Sequence, residues 1–137
     1  MPISNADQYA LFLKKEIDGA WAPEPWASRL VVEAGGIRVI DERDLWPGSQ
    51  FCTSNVIVRR EFLEQSPDLV EKWLKAHIEI TDFMNDHPEE AKRIVNEAIE
   101  ALSTKKIPEA VLSAAWPMLE LSYNPAATSD DLCRLGL

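Results

Sequence analysis

The stretch Gly19-Ala20-Trp21-Ala22-Pro23-Glu24-Pro25-Trp26-Ala27-Ser28-Arg29-Leu30 constrains this chain more than any other. Two prolines flank Glu24. Each fixes its own φ and pushes the residue before it away from helix. The backbone from Ala22 to Glu24 is therefore expected to be extended and stiff. A helix can begin at Pro25, where the missing N–H costs nothing. The predicted result is a strand end, a rigid corner and a helix start, with Trp21, Glu24 and Trp26 held near the corner. Corners of this kind, at the carboxyl ends of strands, are where open α/β sheets bind ligands.

On either side of the corner the pattern alternates. Asn5 reads as an N-cap with Gln8 reaching back to it, which predicts a helix of about ten residues. Ile17 to Trp21 reads as a short strand. Pro25 to Ala34 reads as a helix with Trp26, Leu30, Val31 and Ala34 turned inward and Gly35-Gly36 stopping it. Ile37-Arg38-Val39-Ile40 is β-branched enough to be a half-buried strand. Helix, strand, helix, strand at these lengths suggests a parallel α/β piece. Asp41 to Gln50, with Asp44, Pro47, Gly48 and Ser49, reads as loop. Phe51 to Val58 reads as a longer strand.

The rest is helical in pattern. Ser66-Pro67-Asp68 combines an N-cap, a proline at the first position and an acid in the first turn. Val70, Trp73, Leu74, His77, Ile78, Thr81 and Met84 mark one face of a helix of about 18 residues. If Trp73 is fully buried there, Trp73→Ala costs about 3–5 kcal/mol. Pro88-Glu89-Glu90 starts another helix, striped by Ala91, Ile94, Val95, Ala98, Ile99 and Leu102. A third starts at Pro108-Glu109, with Val111, Leu112, Ala115, Met118 and Leu119 inward, and Pro117 should break it between Ser113 and Trp116. Thr128-Ser129-Asp130-Asp131 caps a last turn.

Charge and composition exclude some partners. A net charge of −9 argues against nucleic acid and anionic membranes. A hydrophobic share of 46% argues against disorder. No apolar run reaches the length of a membrane span, and Met1 opens no signal peptide. Cys52 and Cys133 fit no zinc spacing; they read as inert, partly buried thiols, with a bridge in an oxidising compartment as the second reading. There is no Gly-rich phosphate loop, nucleophile elbow or metal-spaced His/Cys set. No catalytic residue, metal or cofactor is expected. His77, on an apolar helix face, reads as a buried, hydrogen-bonded histidine. His87 reads as a capping residue, and Asp41-Glu42-Arg43-Asp44 as a solvated loop. At the corner, the plain packing reading puts both tryptophans inside and Glu24 in solvent.

The ordered series Ile17-Asp18-Gly19-Ala20-Trp21, Pro23-Glu24-Pro25-Trp26, Glu33-Ala34-Gly35-Gly36, Val39-Ile40-Asp41-Glu42 and Leu45-Trp46-Pro47 resembles a known family. So do Phe62-Leu63, Ser66-Pro67-Asp68-Leu69-Val70, Ala76-His77 and His87-Pro88-Glu89-Glu90-Ala91 further on. The family is that of ABC-transporter substrate-binding proteins for nitrate, bicarbonate, taurine and aliphatic sulfonates. Its members are longer, with two α/β lobes around a ligand cleft. This chain looks like the later part only, a partial two-lobe periplasmic-binding-protein-like α/β fold. Residues 1–48 would be the remnant of the second lobe, ending in a crossover loop. Residues 49–137 would be the C-terminal part of the first lobe, a strand plus helices.

The resemblance implies a non-enzymatic component that closes on a small anion or sulfonate in the full-length parent and docks on ABC permease subunits. The parent would be periplasmic or anchored at the cell surface, its signal peptide lying in the missing part. A lone piece would be a homo-oligomer. Ligand-facing residues would be Trp21, Glu24 and Trp26, with the hydroxyls of Thr53 and Ser54 available to an oxyanion. A bare carboxylate suits an anion badly, so Glu24 is expected to pair with a cation, and Arg29 is a candidate. The other reading is an enzyme of the same superfamily, similar to proteins that make the pyrimidine precursor of thiamine. It would need active-site His and Cys motifs that the sequence does not offer. A third reading is a piece that only packs against a partner.

Overall fold

The computed structural model describes residues 3–49, 54 and 56–123. Its helices are α1 (Asn5–Leu13), α2 (Trp26–Ala34), α3 (Arg60–Gln65), α4 (Pro67–Asp86), α5 (Pro88–Ser103) and α6 (Glu109–Ala115). Short 3-10 turns occupy Glu42–Leu45, Pro47–Ser49 and Trp116–Met118. The chain divides into two compact units. The first joins the described residues up to Asp41 with Glu89–Glu120; the second joins Glu42–Pro88 with the chain from Leu121.

Local chemistry sets the helix ends. Ser4, not Asn5, caps α1: its Oγ accepts the Asp7 N–H at 3.1 Å and donates to Asp7 Oδ2 at 2.6 Å. The cap moves one residue earlier because Ser4 and Asp7 satisfy each other. Gln8 does not close the expected box on Asn5; its amide passes the cap and donates to the Ile3 carbonyl at 3.2 Å. Gly35 stops α2 with a left-handed φ of 69°. The Gly36 N–H then bonds the Leu30 carbonyl at 2.9 Å, and a Cβ on Gly36 would lie 3.0 Å from that same oxygen. This stop takes glycine at both positions for different reasons, conformation and space. Pro117 has no N–H for the Ser113 carbonyl, so α6 ends at Ala115 as expected and tightens into a 3-10 turn.

In the first unit α2 packs against α1 and α6. Leu30, Ala91, Val111, Leu112 and Ala115 are its buried apolar residues, Val111 at only 1% exposure. Asn96 on α5 is buried and bonds both backbone groups of Ile107, accepting its N–H at 2.8 Å and donating to its carbonyl at 2.9 Å. That pair sets the approach into α6 without leaving a polar atom unsatisfied. The stripe expected on α5 is only partly covered: Ala91 is buried, Val95 and Ile99 are half-buried, and Ile94, Ala98 and Leu102 are exposed.

In the second unit α3 packs on α4. At Leu121 the chain is tied to the end of α4: Asn85 donates to the Leu121 carbonyl at 3.1 Å. The face of α4 is not buried as expected. Trp73 is 51% exposed, and Leu74 and Ile78 are exposed too. Only Thr81 is buried, its hydroxyl donating to the His77 carbonyl at 2.8 Å. His77 is half-buried and stacks on Trp73, with ring centres 5.4 Å apart and an 8° interplanar angle. It is an aromatic-stacked histidine rather than a core one. His87 ends α4 with its N–H on the Phe83 carbonyl at 2.8 Å and its ring beside Phe83, as a residue before proline should.

Among the described residues no strand forms. Ile17 to Trp21 and Ile37 to Ile40 are irregular, and so are Ser54 and Val56 to Val58, the described part of the third expected strand. Ile37, Val39 and Ile57 stand 86%, 87% and 91% exposed. The described residues are thus helical and irregular, without the strands of the expected α/β architecture: a β-branched run favours extended backbone, but a strand exists only where a second backbone takes its N–H and C=O groups. Asp41 to Gln50 was expected as loop; its described part holds two 3-10 turns, the first steadied by Trp46 Nε1 donating to Glu42 Oε1 at 3.2 Å. Cys52, Cys133 and the expected turn at Thr128 to Asp131 lie outside the described residues.

Candidate functional site

The corner before α2 is organised by one carboxylate. Pro25 is the N-cap residue of α2 but offers no side-chain acceptor, and the Glu24–Pro25 peptide is cis. Glu24 supplies the acceptor instead: its Oε2 takes the Ser28 N–H at 3.1 Å, placing negative charge at the positive end of the helix. Its Oε1 takes a hydrogen bond from Arg38 Nη2 at 2.5 Å. The Glu24 side chain is 9% exposed and the Arg38 side chain 32%. The expected cation is therefore present, but it is Arg38, beyond the end of α2, and not Arg29.

Arg29 has another role. Its Nε donates to Glu33 Oε2 at 2.8 Å, one turn along α2. Its guanidinium carbon lies 5.5 Å from the Tyr9 ring centre and 5.4 Å from that of Trp26, within cation–π range of both. The two rings are 6.4 Å apart and tilted by 56°. Tyr9, on α1, donates its hydroxyl to the same Glu33 oxygen at 3.0 Å. Partial burial, then that hydrogen bond and the Glu33 charge, raise the Tyr9 phenol above its ordinary pKa; the Arg29 charge opposes the rise. Tyr9, Trp26, Arg29 and Glu33 thus form one linked cluster across α1 and α2.

The plain packing reading of the corner is reversed at two of its three residues. Glu24 is covered and doubly bonded, while Trp21 stands 69% exposed. Trp26 is half-buried against Tyr9 and Arg29. Ser54 is exposed in the second unit, and Thr53 lies outside the described residues. Sequence reasoning missed Tyr9, Glu33 and Arg38. The Arg29–Glu33 pair had a signal in its four-residue spacing. Arg38 had none, being fourteen residues from Glu24 and on no shared helix.

Elsewhere in the first unit, a cleft of about 270 Å³ runs along α5, lined by Lys92, Arg93, Asn96, Glu97, Lys106 and neighbouring acids. Its charges are mutually paired, with Lys92 on Glu89 at 2.7 Å and Arg93 on Glu97 at 3.0 Å. Among the described residues no three His, Cys, Asp or Glu side chains are grouped to hold a metal ion, and no helix is long and apolar enough to cross a membrane.

The model of the NMT1-like family matches residues 1–100 of the 137, a span that includes α1, the Glu24 corner, α2 and α4. The chain belongs to this family, a substrate-binding family of the nitrate, sulfonate and taurine ABC-transporter type. No curated protein and no solved structure matches it.

Proposed function

We propose that this chain is part of the solute-binding component of an ABC importer for a small anion or sulfonate: nitrate, bicarbonate, taurine or an alkanesulfonate. The family match across the Trp21–Trp26 corner carries the reading. In it the component works by non-covalent capture, as its family does, and hands the ligand to permease subunits. Trp21, Glu24 and Trp26, with Thr53 and Ser54, are the residues proposed to line the cleft. The parent protein works outside the cytoplasmic membrane.

The exposed apolar runs Ile37–Ile40 and Val56–Val58 support a second element of the proposal. In the two-lobed arrangement, residues 1–48 belong to one lobe and 49–137 to the other, and these runs are strands completed by further backbone. Without that backbone they pair between copies, so this chain alone is a homo-oligomer.

Deletion of the gene tests the reading. Loss of uptake of one of these anions, restored on re-expression, is the expected result. Unchanged uptake together with a new requirement for thiamine would overturn it in favour of the pyrimidine-precursor reading.

A further inference from the structure

We propose that Arg29 is an oxyanion-binding residue, presenting the outer edge of its guanidinium to the sulfonate, carboxylate or nitrate group of a small ligand. This deepens the solute-binding reading and rests on it. A guanidinium carries five N–H donors in a flat fork. Here one of them, on Nε, is spent on Glu33. Among the described residues the Nη atoms of Arg29 have no hydrogen-bond partner, and the side chain is 30% exposed. The open edge is thus the one whose parallel N–H bonds match two oxygens of an oxyanion.

The surroundings hold that edge in place. The Tyr9 and Trp26 rings lie 5.5 and 5.4 Å from the guanidinium carbon, and Glu33 fixes Nε. A side chain already held by a carboxylate and two neighbouring rings loses little rotamer freedom when it binds. Arg93 shows the contrast: its Nη1 is bonded to both carboxylate oxygens of Glu97 at 3.0 Å, and Nη2 lies 3.8 Å from Glu90. Arg38 spends an Nη atom on Glu24. Arg29 also removes the difficulty of a carboxylate in an anion site. Glu24 holds the corner together, and the anion goes to the stacked arginine beside it. Glu33 offsets part of the Arg29 charge, so the isolated chain is expected to bind weakly.

The test is a nuclear magnetic resonance titration of the 137-residue chain with methanesulfonate and with nitrate, against chloride at equal ionic strength. Saturable shifts of the Arg29 Nε–H and Trp26 indole N–H signals are expected. Arg29→Lys keeps the charge but loses the fork, and should weaken binding at least about tenfold. Glu33→Gln keeps the stack, removes the offsetting charge and should tighten binding. Shifts that only track salt, that persist equally in Arg29→Lys, or that do not tighten in Glu33→Gln would overturn the proposal. Uptake lost on gene deletion with a silent Arg29 would sink this inference alone; a responsive Arg29 with uptake unchanged would sink the importer reading alone.

Discussion

Glu24 closes two gaps with one side chain, capping α2 and holding Arg38. Glu24→Ala removes both bonds from a side chain that is 9% exposed, so it should destabilise the first unit by about 1–3 kcal/mol in urea unfolding. Arg38→Ala should cost less, because the Ser28 N–H keeps its acceptor. A loss from Arg38→Ala equal to that from Glu24→Ala would show the cap contributes nothing. Tyr9 offers a second test. Its pKa is raised in the folded chain by partial burial and by the bond to Glu33, so the native state holds this proton more tightly than the unfolded state. The stability this gives is complete below the unfolded tyrosine pKa, about 10, and is lost as pH rises through the folded value. Absorbance titration should place Tyr9 above free tyrosine, and Glu33→Gln should lower it. An unmoved Tyr9 in Glu33→Gln would remove the hydroxyl–carboxylate bond from the account.

At the scale of elements, burial separates two helices that look alike in sequence. Leu112 on α6 is 5% exposed, so Leu112→Ala should cost about 2–5 kcal/mol. Trp73 is 51% exposed, so Trp73→Ala should cost only about 1 kcal/mol, well below the value expected of a buried tryptophan. Thermal or urea unfolding of the two variants side by side checks the order, and a reversed order would show that the α4 face is covered in solution. Helix ends were legible because their causes are local: Ser66-Pro67 before α4, Gly35-Gly36 after α2, Pro117 after α6. Burial was not, since a 3.6-residue stripe shows which side of a helix is apolar but not whether anything lies against it. Strands failed for the same reason. Ile37-Arg38-Val39-Ile40 has the composition of one, and its missing half is another stretch of backbone. The corner of the candidate site was legible as a turn rich in tryptophan, while its electrostatics depended on Tyr9 and Arg38, which only the fold brings to it.

For the whole molecule, the exposed apolar runs predict association. Light scattering should report a dimer or larger species. Charged substitutions at the most exposed positions, Ile37→Lys and Val39→Lys, should shift it toward monomer while leaving helix content unchanged. A wild-type monomer that saturates with micromolar ligand would instead mark the chain as a complete binding domain and remove the argument for half a cleft.

The first unit is assembled from two stretches separated by residues 42–88, and this governs when it can form. The helix that carries the buried Leu30 packs against α6, whose buried Val111 and Leu112 leave the ribosome roughly 80 residues later, or about 4–16 s at ordinary rates of synthesis. For that interval the side of α2 that packs against α6 is open. A nascent chain in that state is expected to need a holding chaperone, and translation pauses placed before Glu109 would lengthen its exposure without changing a single residue of the finished protein.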